Sequence, residues 1–176
     1  MAPELKKFLT LCCPHPQLTC WFILADDGPV RVDFQAADHR RAVLTLRQWG
    51  AMVNDGNREA DSAAARLLRQ RLACYLAGES RCFFADPPPS PFLAAGSAFQ
   101  QRVWRQIAAI PYGETRSYGE ISRTLGDRNL ARAVGGACGA NPCPLLIPCH
   151  RVVGKNSLGG FTGGIEIKKL LLTIEG

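Results

Sequence analysis

Near its N-terminal end the chain carries two apolar stretches separated by a polar, turn-forming break. LTCWFILADDGPVRVDF predicts two strands around a turn at Asp26-Asp27-Gly28-Pro29. In DHRRAVLTLRQWG the apolar positions Ala42, Val43, Leu46 and Trp49 recur at helical spacing, and Gly50 predicts the stop. DSAAARLLRQRLACYLAGES predicts a second helix, with Leu67, Leu68, Leu72, Tyr75 and Leu76 on one face and Gly78 at its end. ADPPPSP excludes both a helix and a central strand, because its prolines have no N–H to give. It reads as a linker, with a boundary near residues 86–97 that divides the chain into 1–90 and 91–176.

Beyond the linker the pattern turns helical. SAFQQRVWRQIAAIP places Phe99, Val103, Ile107 and Ile110 on one buried stripe, and Pro111 stops it. SYGEISRTLG opens with Ser117 and carries Glu120 three residues on, which is a capping box. DRNLARAVGGACGANP starts a third helix with Asp127 as its cap, and the two short helices around a glycine turn suggest a helix-turn-helix. An extended LLIPCHRVVG, a glycine-rich GKNSLGGFTGG and a last helix IEIKKLLLTIEG complete the chain.

A length of 176 residues suits one medium domain or two small ones with a real core. The N-terminal MAPELKKFLTLCCPHP holds an apolar run too short for a secretory signal or a membrane span, and charges and prolines interrupt every later one. A cytoplasmic protein is expected, or a nuclear one in a eukaryote. Of the eight cysteines, Cys12 and Cys13 are adjacent, and with no export signal the thiols are expected reduced. Cys12, Cys13, His15 and Cys20 match no strong zinc spacing, so no metal is expected. Charge is uneven: residues 1–96 carry 11 Lys/Arg against 10 Asp/Glu, and residues 97–176 carry 10 against 5. The C-terminal half is therefore the part that would attract a polyanion.

Three features could carry chemistry. The helix ARAVGGACGA is nearly all alanine and glycine, although each interior glycine costs about 1 kcal/mol relative to alanine. A smooth helix either packs tightly on its own core or lets another backbone approach, as a narrow minor groove requires, with Arg132 as its one long cation. Cys149 beside His150 could be a nucleophile with its base, or a buried structural cysteine. Neighbours on an extended segment point to opposite sides, so contact needs the bend that Pro148 allows, or a bridging water. Glu175 in the last helical turn opposes the macrodipole, by about 0.3–1 kcal/mol. Either a specific partner such as His150 or a frayed end would account for it.

IPCHRVVG, preceded by RAVGGACGANP and IPYGETRSYGEIS and followed by GGFTGG and KKLLLTIEG, resembles the alkylguanine-DNA alkyltransferases, also called methylated-DNA–protein-cysteine methyltransferases. The resemblance covers residues 97–176 closely and the N-terminal half in outline. It implies an α/β fold: a small ribonuclease-H-like N-terminal domain and a helical, winged-helix-like C-terminal domain that binds DNA.

The resemblance also implies roles. Cys149 matches the alkyl acceptor, His150 the residue that deprotonates it through a water, and Glu175 the carboxylate that orients the histidine. Asn141 matches the asparagine joining the recognition helix to the active-site loop. Tyr118 matches the residue that helps rotate the target nucleotide out, and Arg132 the one that replaces it in the stack. Gly119, Asp127, Ala131, Gly135 and Lys155 complete the expected DNA face. Pro144, Arg151, Phe161, Thr162 and Gly163 form the expected substrate pocket. Phe161 stands where a tyrosine is common, and GDRN lacks a proline often found before the recognition helix.

The implied reaction is a single, irreversible transfer of an alkyl group from the exocyclic oxygen of guanine, and more weakly of thymine, to the protein's own cysteine. The partner is alkylated double-stranded DNA, no cofactor is needed, and the protein is expected to be a monomer, with cooperative binding along DNA left open. Two alternatives remain at this stage: a lesion-binding protein that transfers nothing, and a Cys-His-Glu hydrolase.

Overall fold

The computed structural model describes residues 7–16, 18–25, 28–48, 52–54, 63–81 and 91–176. Asp26, Asp27, Trp49, Gly50 and most of the proline-rich linker lie outside the described residues. The chain is mixed α/β, a small sheet with helices followed by a helical half, as expected.

Four strands form the sheet: β1 (Lys7–Cys13), β2 (Cys20–Ala25), β3 (Gly28–Asp33) and β4 (Met52–Asn54), in the order β3-β2-β1-β4. β1 and β2 are antiparallel, as are β2 and β3, while β4 runs parallel to β1. The expected hairpin is therefore β2–β3, with Gly28 and Pro29 already inside β3. β1, KFLTLCC, was not anticipated; it pairs with β2 on one edge and with β4 on the other.

α1 (Ala36–Gln48) buries Ala42 and Val43, and α2 (Ala63–Leu76) buries Leu68, Leu72, Tyr75 and Leu76. Leu67, expected on the same face, is exposed because it falls one position off the i, i+4, i+7, i+8 stripe. α2, β2, β3 and the C-terminal residues Cys143, Leu145, Leu146 and Leu171 share one core cluster.

The second half begins with a short α3 (Pro91–Ala94) and α4 (Ala98–Ala108), capped by Ser97 and Gln100 in a capping box. Val103, Ile107 and Ile110 are buried as the stripe requires, and Phe99 packs partly buried beside them. Trp104 joins them, and its indole N–H donates to the carbonyl of Ala137 at 2.8 Å. β5 (Arg116–Ser117) leads into α5 (Tyr118–Thr124), whose capping box of Ser117 and Glu120 forms as read from the sequence.

Asp127 caps a 3₁₀ turn (Arg128–Leu130) rather than the third helix directly, because its carboxylate accepts from the N–H of Asn129 at 2.8 Å. α6 (Ala131–Gly139) follows that turn. β6 (Val152–Val153) pairs with β5, and α7 (Ile165–Glu175) ends the fold. Among the described residues no helix is long and apolar enough to cross a membrane.

The Trp104 bond ties α4 to the carbonyl of Ala137 in a buried setting, so losing it leaves an unsatisfied acceptor. Trp104→Phe is expected to destabilise the chain by about 1–3 kcal/mol, read as a lower midpoint of urea unfolding. An unchanged midpoint contradicts this role.

Candidate active site and nucleic-acid interface

The site is built where α6, the loop after it, and the end of α7 converge. Asn141 follows α6 and is buried. Its amide donates to the carbonyl of Ile147 at 2.7 Å and to Sγ of Cys149 at 3.2 Å, while its Oδ1 accepts from the N–H of Cys143 at 3.0 Å. One side chain thus closes the loop 141–149 upon itself. Leu145 lies in the left-handed region (φ 78°), a costly conformation for a branched residue, and Ile147 N–H closes the turn onto the carbonyl of Cys143 at 2.8 Å. The free edge of β3 supports the loop from outside: Val32 N–H donates to the carbonyl of Pro142 at 3.0 Å, and the Cys143 thiol to that of Val30 at 2.9 Å.

Cys149–Arg151 is a 3₁₀ turn after Pro148, not the extended segment expected, so Cys149 and His150 do not alternate across a strand. His150 is fully buried. Its Nε2 lies 2.9 Å from Oε1 of Glu175. Arg151 grips the same carboxylate with two bonds of 2.8 Å and donates to the carbonyl of Ile110 at 2.7 Å. The hydroxyl of Tyr75, from α2, donates to Oε1 of Glu175 at 2.5 Å. Glu175 therefore has a specific partner set, and the frayed-end reading falls away.

The charges follow from these contacts. Burial works to raise the Glu175 carboxyl, but hydrogen bonds from His150, Arg151 and Tyr75 overcome it and hold the group well below the usual carboxylate range. Burial lowers the His150 imidazole against the pull of Glu175, so the ring is neutral at pH 7. An ionised carboxylate on Nε2 requires the proton there, which leaves a lone pair on Nδ1. That Nδ1 is buried and has no hydrogen-bond partner. Burial pushes the Cys149 thiol up to about 11, opposed by the Asn141 amide and the charge of Lys168. The thiol is thus held as S–H, and any attack by the sulfur would need an acceptor for its proton.

Above Cys149 opens a cavity of about 460 Å³ walled by Tyr118, Gly135, Cys138, Gly139, Gly160, Phe161 and Thr162. Phe161 meets the His150 ring edge-on, with centroids 6.3 Å apart, and leans on Phe34 at 5.5 Å. The glycine-rich loop lies so close to its neighbours that side chains are excluded: a Cβ on Gly159 would stand 2.6 Å from the Tyr118 hydroxyl, and one on Gly163 2.5 Å from the Phe34 ring. The β5–β6 pairing, Arg116 to Val152 and Ser117 to Val153, fixes Tyr118 relative to Cys149.

Of the expected pocket residues, Phe161 and Thr162 line this cavity. Pro144 lines a smaller neighbouring one of about 170 Å³, together with Arg31, Asp33, Asn141 and Thr162. Gly163 packs under Phe34 and Phe161. Arg151 is not a pocket residue: its guanidinium is committed to Glu175 and Ile110 and lies over the Tyr112 ring, 5.7 Å from its centroid. Tyr118 and Gly135 serve as pocket wall. Arg132 and Lys155 are exposed, Gly119 and Ala131 are half-buried, and the Asp127 carboxylate is occupied in its cap.

Three residues escaped the sequence reading. Tyr75 carries no local signal. Cys138 lines the cavity from α6. Lys168 is buried, donating to the carbonyls of Val152 at 2.6 Å and Gly160 at 3.2 Å. Lys168, Leu171 and Glu175 fall at i, i+3, i+7, so the buried face of α7 was readable as apolar with a charge at each end.

A Cβ on Gly136 or Gly139 would meet nothing within 4 Å, and one on Gly135 only makes ordinary contact with Tyr118. Packing inside the chain therefore does not account for these glycines. The exposed face of α6 carries Arg132, Ala133, Gly136 and Gly139. At the N-terminus, Cys13 and Cys20 face each other within the sheet, and among the described residues no group of three or more His, Cys, Asp or Glu side chains is placed to hold a metal.

Residues 98–176 match the family described as 6-O-methylguanine DNA methyltransferase, DNA binding domain. The chain is 46% identical over 141 residues to the constitutive methylated-DNA–protein-cysteine methyltransferase of Bacillus subtilis, covering 77% of this chain and 81% of that one. It is 52% identical over 80 residues to a probable methylated-DNA–protein-cysteine methyltransferase of Acanthamoeba polyphaga mimivirus, covering 46% and 54%. The chain spans between about half and two thirds of the length of several such relatives. Among solved structures, it is similar to Mycobacterium tuberculosis OGT in complex with DNA, with a TM-score of 0.70 and 34% identity over 96% of this chain and 92% of that one.

The charge state of the buried network makes a prediction about stability. His150 and Glu175 both have folded-state values below their unfolded ones, about 6.5 and 4.3. Each contributes stability that is complete above its unfolded value and lost as the pH falls toward its folded one. Urea midpoints are expected to decline below about pH 6.5, with a second decline below about pH 4. His150→Gln should flatten the first and keep the second. A wild-type midpoint that stays level from pH 8 to 5 contradicts a neutral, buried His150.

Proposed function

Since the chain belongs to the methylated-DNA–protein-cysteine methyltransferase family, we propose that it repairs double-stranded DNA by moving an alkyl group from the exocyclic oxygen of guanine, and more weakly of thymine, to Cys149. The observation that carries this reading is the neutral His150, held by Glu175 through Nε2, with an unpartnered Nδ1 buried beside the thiol's turn. The sulfur attacks the alkyl carbon, the carbon–oxygen bond breaks, and the electron pair leaves with the guanine oxygen. The thiol proton passes to His150 Nδ1 through a water, and Glu175 stabilises the imidazolium that forms. The product is a thioether, which has no acceptable leaving group, so each chain acts once. No cofactor takes part.

The target atom lies inside the duplex, so the nucleotide must turn out into the cavity over Cys149, at a cost of a few kcal/mol. We assign α5 and α6 to a helix-turn-helix that enters the minor groove. The Gly136 and Gly139 face permits close approach, Arg132 fills the vacated place in the stack, and Tyr118 stands at the cavity wall where the nucleotide swings in. Lys155 and Gly119 lie toward the phosphates, and the Asn141 amide, besides closing the loop, steadies the sulfur as charge develops. Residues 1–90 act as a buttress for residues 91–176, through the β3 edge and Tyr75. The protein works as a monomer.

A sensor that only binds lesions has no need of a thiol beside a neutral histidine, and a hydrolase would turn over. Wild type incubated with excess DNA carrying labelled O-methylguanine is expected to take up one methyl per chain and stop, while Cys149→Ser binds DNA and takes up none. Continued release of label contradicts the single-use reaction, and label left on bound DNA contradicts transfer.

The groove assignment is tested on α6. Gly136→Ala should stabilise the fold by about 0.5–1 kcal/mol, since it removes a helix-interior glycine, yet slow transfer from duplex DNA. Arg132→Ala should slow duplex repair strongly while leaving reaction with free alkylguanine base nearly unchanged, and Arg132→Lys should recover only part, as an ammonium stacks poorly. Equal losses on duplex and free base would mean that Arg132 supports the fold instead.

A further inference from the structure

The alkyl-transfer reading leaves the cysteines of the N-terminal sheet unused. β1 and β2 are antiparallel, and Cys13 faces Cys20 as the last pair of that ladder, closing the loop 14–19. Residues directly opposite in such a ladder have Cα atoms about 4.5 or 5.5 Å apart, depending on whether they exchange hydrogen bonds. Both spacings fall inside the window of about 4.4–6.8 Å that a disulfide needs. Their Cβ atoms, about 4.5–5.5 Å apart in such a pair, need to close by only about 1 Å. The one irregularity of register, at Ile23 and Leu24, belongs to the β2–β3 pairing and leaves this pair undisturbed. Both thiols are free, and both are buried in the cluster that holds Leu68, Leu72 and Tyr75 of α2.

We propose that Cys13 and Cys20 are a reversible redox pair, which a low-molecular-weight disulfide converts to an intrachain cystine that staples the β1–β2 hairpin. The two thiols are not equivalent. Arg69 lies beside Cys13, hydrogen-bonded to it, whereas burial dominates at Cys20 without a cation nearby to offset it. Cys13 is therefore the entering nucleophile. Its thiolate attacks the small disulfide, forms a mixed disulfide and expels one thiolate. Cys20 loses its proton to that thiolate, attacks the Cys13 sulfur and expels the second. Two protein thiols are oxidised and one small disulfide is reduced to two thiols.

Cys12 is the natural competitor, being adjacent and exposed, but it pairs with Trp21 and therefore sits on the opposite face of the strand. The staple lies under α2, in the same cluster as Tyr75, and involves neither Cys149 nor its turn. It would firm the platform from which Tyr75 reaches Glu175 without consuming the thiol at the cavity. The inference stands whether or not the chain transfers alkyl groups.

The experiment is to equilibrate the full chain with oxidised glutathione, block remaining thiols, and weigh the tryptic peptide of residues 8–31, which contains Cys12, Cys13 and Cys20. Wild type and Cys12→Ser are expected to lose two hydrogens in that peptide, and reductant should restore them. Cys13→Ala should lose the cystine, and Cys20→Ala should stop at the glutathione adduct on Cys13. The oxidised chain should melt about 5 °C higher than the reduced one. Should the alanine variants fail to fold, Cys12→Ser alone decides. A Cys12→Ser peptide that keeps all its hydrogens overturns the proposal, because the pairing then runs through Cys12, and so does a wild-type peptide that never loses them.

Discussion

One buried carboxylate organises this protein. Glu175 sits at the last turn of the last helix, where its charge opposes the helix dipole, and it is nonetheless buried. Removing a carboxylate from water is expensive unless its lone pairs are met. Here they are met by groups from distant parts of the chain: His150 and Arg151 from the turn after Pro148, and Tyr75 from α2. Because the cost is recovered only when all of these are in place, the end of α7, the reactive turn and the N-terminal half are positioned together. Arg151 balances the charge, which leaves His150 free to remain neutral.

A second constraint acts from the other side of the cysteine. Asn141 spends its amide on Ile147 and Cys149 and its carbonyl on Cys143, so the loop between α6 and the reactive turn has one closed arrangement, with Leu145 forced into the left-handed region. The β3 edge then bonds to Pro142 and Val30 accepts from Cys143. The N-terminal sheet thus borders the site, although among the described residues none of its side chains lines the cavity over Cys149. A thiol held this way, in a closed turn, has little conformational freedom left to lose.

What could be read from the chain follows from the range of each interaction. The capping box of Ser117 and Glu120 and the stripe of Val103, Ile107 and Ile110 depend on neighbours within a turn or two, and they appeared where expected. β1 did not, since one of its two partners, β4, is distant in sequence and no local pattern announces that pairing. Nor did the 3₁₀ turn at Cys149: Pro148 allowed a bend there, but the contacts of His150 and Arg151 with the distant Glu175 that accompany it come from the tertiary fold. Arg151 was expected in the pocket only through the family resemblance, and the tertiary fold turns it inward to Glu175. Tyr75 lies 100 residues from the carboxylate that it serves, and no sequence period spans that distance. The unneeded glycines of α6 were legible as an oddity, while the absence of any internal contact that would require them needed coordinates.

The central claim is that Glu175 fixes the proton of a neutral His150 on Nε2 and leaves Nδ1 without one. Nitrogen-15 NMR of the ring of His150, in protein labelled at histidine and assigned by comparison with His150→Gln, reads this directly at pH 7.5. The account predicts a pyrrole-like, protonated Nε2 and a pyridine-like Nδ1 without a proton. A proton on Nδ1, alone or together with one on Nε2, would contradict it.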